Sequence, residues 1–223
     1  AAEACVAFSS RPERAPELRD ALHLLRPGDF PGPAGETYTA WRRTVERPVS
    51  VKTLRRALPS HAADRIADWI DAGQGAPVAR AAGVLECVLA QAPRSEDAAL
   101  ILADAALAQA IGWEYAVPLL AAGLKRADLR KCGDNLRLAC HRAAVASATE
   151  AVRMAAELAR RTAQLRAVAP KLRAKGAAGA ALARMDAPDR GSAVCLRRAG
   201  AARRLGAGGG ERFGRPADRG SCR

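Results

Sequence analysis

The chain has 223 residues, enough for one large or two small domains with a sizeable core, and only 4% of them are aromatic. Its apolar content is carried by Ala and Leu with few β-branched residues, which starves strands and favours helices, so the expected class is all-α. The net charge of +13 is one-sided: residues 1–124 hold 13 Lys and Arg against 15 Asp and Glu (−2), and residues 125–223 hold 23 against 8 (+15). That asymmetry suits attraction to an anionic polymer or membrane surface without specifying a function.

No apolar run reaches the roughly eighteen residues needed to span a bilayer, since the best, from Ala98 to Trp113, is broken by Asp104 and Gln109. Cys5, Cys87, Cys132, Cys140, Cys195 and Cys222 lack the short spacing of a secreted disulfide framework. Reduced thiols in a soluble, cytoplasmic protein are expected, with no membrane partner.

In chain order, AAEACVAF reads as the end of a helix, and Ser10 is a candidate N-cap for a second one from about Pro12 to Leu25, with Leu18, Leu22 and Leu25 on one face and His23 beside them. RPGDFPGPAG, residues 26–35, follows. A phosphate loop wants a preceding strand and a Lys with Ser or Thr at its end, and neither is present. Its three prolines also remove amide donors, so it reads as a corner.

A third helix begins near Pro33 and sets Tyr38, Trp41 and Val45 on one side. Ser50 can cap a short helix through Leu58, and Ser60 the next, where Ile66, Trp69 and Ile70 form a stripe that Gly73 ends. Pro77 opens a helix bearing Val78, Val84, Leu85, Val88 and Leu89. Ser95, with Glu96 and Asp97 in the first turn, starts a strongly apolar helix that Gly112 terminates and that is expected at the centre of the core. PLLAAGL follows Pro118, and GDN at 133–135 precedes a long helical pattern from about Asn135 to Val168. Leu138, Val145 and Val152 lie seven apart there, followed by Leu158 and Leu165 on a shifted stripe. The run is too Ala-rich for a steady coiled coil and is expected to lie along the helical body. No fixed repeat period is present.

From Ala177 to Arg223 the chain is built mainly of 12 Ala, 10 Arg and 9 Gly, and helical periodicity vanishes. Two explanations stand side by side: a disordered basic tail, or translation of a GC-rich gene in a shifted frame. GAGGG, Gly206–Gly210, lacks the strand and the Lys of a nucleotide loop and reads as a linker. Cys132, Cys140 and His141 lack the paired spacing of zinc ligands, so no metal is expected. His61, in a first helical turn, reads as solvated. Three histidines do not define a catalytic arrangement by spacing, so no catalytic residue, enzyme activity or cofactor is assigned.

The basic clusters carry the one mechanism that the residues suggest. Lys125, Arg126, Arg130 and Lys131 surround an interhelix turn, and Arg160, Arg161, Arg166, Lys171, Arg173 and Lys175 crowd the end of the long helix. Such residues can neutralise DNA phosphates in a salt-dependent, sequence-independent way. Against this, a basic face is most often merely solvated, and cations near a helix C-terminus also complement its dipole.

The run LRDALHLLRPGDFPGPAGETYTAWRR, with ILADAALAQAIGW, then VPLLAAGLKR and later APKLRAKGA, resembles domain-of-unknown-function family 1403, a bacterial family of rhizobia and their relatives, often encoded on plasmids. The resemblance covers roughly residues 1–178 and brings no catalytic residue or cofactor. It implies that members extend upstream of the position of Ala1, so that this chain lacks an N-terminal part. It also implies that members continue after KLRAKGA with an apolar helix and a segment like the helix and hairpin of a winged-helix DNA-binding unit. Here the Ala/Arg/Gly stretch stands in that place, and a frame slip near Gly176 would remove that unit.

The expected architecture is an irregular bundle of about eight helices over residues 1–176 followed by a disordered basic tail, 177–223. The expected role is a non-enzymatic, plasmid-associated DNA-binding or regulatory protein. The alternatives are a helical module for a protein partner or self-association, and a truncated, non-functional family member.

Overall fold

The computed structural model describes residues 1–9, 11–26 and 28–168. Among them are nine α-helices: α1 (Ala2–Phe8), α2 (Ala15–His23), α3 (Gly32–Val45), α4 (Val51–Ala57), α5 (Ala63–Asp71), α6 (Pro77–Gln91), α7 (Glu96–Ala110), α8 (Leu119–Gly123) and α9 (Gly133–Val168). A 3₁₀ turn, Arg126–Arg130, links α8 to α9. No strand occurs among the described residues; an isolated antiparallel bridge joins Pro48 to Tyr115. The fold is therefore all-α, as the composition requires. Residues 177–223, with the linker and tail expectations, lie outside the described residues.

The chain divides into two units, Ala1–Ala156 and Glu157–Arg223. The first contains α1 to α8 and most of α9. The described part of the second is the remainder of α9, residues 157–168, where most side chains are exposed.

Within the first unit α7 is the axis. Ala98 to Ala108 are all buried and, Asp104 apart, apolar, the signature of a segment enclosed by others. It packs mainly on α6, through which Ala81, Val84, Leu85 and Val88 enter the core, and also meets α1, α3, α5 and α8. A smaller cluster of Val6, Leu18 and Ala34 ties α1, α2 and α3 together.

Many of the predicted boundaries hold for local reasons. Ser50 Oγ accepts the Thr53 N–H at 3.2 Å, the N-cap expected of it. Pro77 opens α6, and Gly112, at φ +75°, ends α7 in the left-handed region that glycine tolerates. The proline-rich segment is a corner: Asp29 Oδ2 accepts the Arg26 N–H at 3.0 Å, the Asp29 N–H returns to the Arg26 carbonyl at 3.0 Å, and Gly28 has φ +97°.

Other expectations are corrected. The N-cap of α2 is Arg14, whose N–H donates to Glu17 Oε2 at 2.8 Å, while Ser10 lies outside the described residues. The N-cap of α5 is Ala62, without a side-chain bond, so Ser60 does not serve there. Val45 is exposed, and Ala40, Trp41 and Thr44 form the buried face of α3. Gly73 does follow the end of α5, as expected, and it also answers a demand for space, since a Cβ there would fall 2.5 Å from the Arg80 carbonyl oxygen at the start of α6.

The largest correction concerns α9. Its seven-spaced residues Leu138, Val145, Val152, Leu158 and Leu165 are all exposed; the buried ones are Leu136, Ala139, Cys140 and Ala143. The seam with α8 is a close approach, because a Cβ on Gly123 would lie 2.6 Å from the Ala143 carbonyl oxygen and 2.5 Å from Ser147 Oγ. Small residues fit such a seam, and the larger Leu and Val fall on other faces.

Candidate nucleic-acid interface

The 3₁₀ turn is anchored by Leu129, which is buried, as is Leu124 before it. With these two apolar residues turned inward, Lys125, Arg126, Arg130 and Lys131 remain exposed around the turn. Asp128 organises them. Its Oδ2 accepts the Lys125 N–H at 2.9 Å and its Oδ1 accepts Lys131 Nζ at 2.6 Å. The Lys131 ammonium first, and then the Lys125 N–H, hold the Asp128 carboxyl below the usual carboxylate range. Four cations against this one acid leave the segment 125–131 at +3.

The second basic group is less open. Glu157 accepts from Arg160 through two bonds of 2.8 and 2.9 Å and from Arg161 at 2.6 Å. The Arg160 guanidinium, followed by that of Arg161, pulls the Glu157 carboxyl below its ordinary range. Two turns earlier, Arg153 grips Glu150 by two bonds of 2.6 and 2.8 Å. Acid followed by base at three or four residues is the spacing that brings side chains together on a helix. Arg166 is exposed in the last turn of α9. Lys171, Arg173 and Lys175 lie outside the described residues. The two basic groups belong to different units.

Several side chains with catalytic or metal-binding chemistry have other engagements. Burial pushes the thiols of Cys5 and Cys140 up to about 12, and Cys5 Sγ accepts the Trp41 Nε1–H at 3.2 Å. Cys132 is exposed whereas Cys140 is fully buried. His61 precedes α5 instead of occupying its first turn, and meets the Trp69 ring edge-on at 5.1 Å. Trp69 Nε1 donates to Gln91 Oε1 at 2.9 Å, and the Arg65 guanidinium lies 4.9 Å from the centre of its ring. No group of three or more His, Cys, Asp or Glu is arranged to hold a metal among the described residues.

Two features escaped the sequence. Asp104 figures there only as an interruption of hydropathy, yet it is fully buried and accepts the N–H groups of Leu120 and Ala121 at 2.8 and 3.1 Å, capping α8 from α7. The signal was a lone acid in an otherwise apolar helix; its partners, sixteen and seventeen residues downstream, were not readable. The second is a cationic concentration on α3 and α4, which the near-neutral sum over residues 1–124 concealed.

Among the described residues no helix is long and apolar enough to cross a membrane. Comparison with known proteins gives one family match: the sequence model described as "Protein of unknown function (DUF1403)" covers residues 1–207, past the residue near 178 where the quoted motifs end. No curated protein and no solved structure matches the chain.

Proposed function

The chain belongs to the DUF1403 family, whose function is unknown, and we propose from that premise that it is a non-enzymatic helical protein that binds DNA through phosphate contacts. The observation that carries this reading is the exposed ring of Lys125, Arg126, Arg130 and Lys131 around a turn fixed by buried Leu129, with Asp128 as its single internal acid. The buried Leu124 and Leu129 fix the backbone from which the cationic side chains project. The Arg pairs of α9 are compatible with it, because exposed ion pairs contribute little and can exchange a carboxylate for a phosphate. The raised thiols of Cys5 and Cys140, and the engagement of Asp104 with α8, favour structural over catalytic roles for these groups. A regulatory, plasmid-associated setting rests on the family resemblance.

The test is fluorescence anisotropy with duplex DNA of arbitrary sequence. Log affinity should fall linearly with log salt, by about 0.9 per phosphate contact. The combined K125E, R126E and R130E variant should bind at least tenfold more weakly and with a shallower salt slope. Affinity indifferent to both salt and charge reversal rejects the reading.

A second reading is supported by the apolar residues left exposed on α9. Leu138, Val145 and Val152, 48%, 67% and 71% exposed, suit a protein partner or a second copy of the chain. Sedimentation showing a stable oligomer that V145S with V152S dissociates, with DNA affinity unchanged, would favour it.

A further inference from the structure

The loop between α3 and α4 and the two helix ends that flank it hold the densest charge in the first half of the chain. Residues 42–56 contain Arg42, Arg43, Arg47, Lys52, Arg55 and Arg56 against the single acid Glu46, six cations to one anion or +5. Glu46 is already engaged by Arg42 at 2.7 Å. Arg43, Arg47 and Arg56 line a surface cleft of about 340 Å³. None of the three forms an ion pair with a carboxylate among the described residues, and all three are exposed residues.

Helix ends explain part of this arrangement. Cations in the last turns of α3 and α4 complement the negative ends of both dipoles, and Arg43 Nη1 donates to the Arg56 carbonyl oxygen at 3.1 Å, satisfying an acceptor at the end of α4. Arg47 has no such role. It sits outside both helices, next to Pro48, whose backbone is pinned by the bridge to Tyr115 and by the Val49 N–H donating to the Glu114 carbonyl at 2.8 Å. Arg47 thus lines the same cleft as Arg43 and Arg56 beside a fixed stretch of backbone, and forms no ion pair among the described residues.

We propose that this cleft is a binding site for a phosphoryl group, with Arg47 and Arg56 as its forked ligands and Arg43 as a further donor. One guanidinium suffices to saturate a carboxylate in a bidentate pair, whereas three uncompensated guanidiniums match the several terminal oxygens and multiple negative charge of a phosphate or diphosphate. The site is separate from the basic turn at residues 125–131, and its existence does not depend on that turn binding DNA.

The experiment is calorimetric titration of the whole chain at low salt with pyrophosphate, with acetate at equal ionic strength as the blank. Pyrophosphate should saturate one site. R47Q should weaken it tenfold or more without lowering the unfolding temperature, R56Q should weaken it as much with only a small loss of stability from the end of α4, and R56K, which keeps the charge and loses the fork, should fall well below the native protein. Duplex DNA that displaces pyrophosphate identifies a nucleic-acid backbone as the source of the phosphoryl group; pyrophosphate binding undisturbed by DNA identifies a free phosphate ester or oligophosphate. No pyrophosphate binding, or binding unchanged in R47Q and R56Q, overturns the proposal.

Discussion

Asp104 holds two opposed demands within one side chain. Every residue of α7 from Ala98 to Ala108 is buried, and Asp104 is the ionisable one among them. Burial raises its carboxyl from the ordinary 3.8 to about 7; the N–H groups of α8 and, more weakly, the Ala1 ammonium oppose that rise without cancelling it. Cys140 feels the same carboxylate, which adds to its own upward shift. Because the folded state holds the proton more tightly than the unfolded chain, the stability tied to this group is fully present below about pH 4 and is lost as pH rises towards 7. Urea midpoints should therefore fall between about pH 4 and 7 and level off above that, by an amount equivalent to about 4 kcal/mol at most. Asp104→Asn removes the titration and directs an amide at the N–H groups of α8. It should lower stability by about 1–3 kcal/mol at pH 5 and flatten the profile above it. Parallel profiles for the two proteins would contradict the role assigned to Asp104. The sequence displayed this acid plainly, but whether a lone Asp in an apolar run faces water or a helix end depends on a neighbour that only folding supplies.

At the scale of elements, start and stop signals were legible because they act within one turn. Ser50, Pro77 and Gly112 do what their chemistry dictates wherever the chain runs next. Removing the cap with Ser50→Ala should lower unfolding free energy by about 1 kcal/mol, measurable as a shift in denaturant midpoint at constant slope. The packed face of α9 was not legible. Spacing and residue size drew attention to Leu138, Val145 and Val152, whereas the seam with α8 selects residues by how closely two backbones approach. Gly123 sets that approach, so Gly123→Ala should destabilise by about 1–3 kcal/mol through overpacking against Ala143 and Ser147. A loss below a few tenths of a kcal/mol would mean that the seam relaxes freely. The acids at positions 150 and 157 also change what the basic face of α9 offers: Arg153, Arg160 and Arg161 are part of helix-surface pairs, whereas the turn at 125–131 keeps a clear excess of exposed cations.

Across the first unit, stability is unevenly spread. The buried stretch Leu100–Ala108 of α7 has neighbours on all sides, while residues 149–156 of α9 are all exposed. Native-state amide exchange should find the α7 amides opening only with global unfolding and those of 149–156 opening locally, at much lower free energy. Equal protection in the two stretches would indicate that the exposed part of α9 is covered, and would favour the protein-partner reading. The charge is uneven too. A half-chain sum located the C-terminal excess correctly but averaged the +5 of residues 42–56 against acids elsewhere, so the cleft of Arg43, Arg47 and Arg56 was invisible to it.

The residues alone determined the all-α class, the central position of α7 and several helix ends, because composition, uniform apolarity and capping act locally or by majority. They also carried the resemblance by which the family was recognised. Tertiary structure decided which of several apolar faces on α9 is covered, where the carboxylate of Asp104 points, and which arginines line one cleft. These outcomes depend on distances between segments far apart in the chain, and such distances are fixed by close packing, which periodicity does not encode.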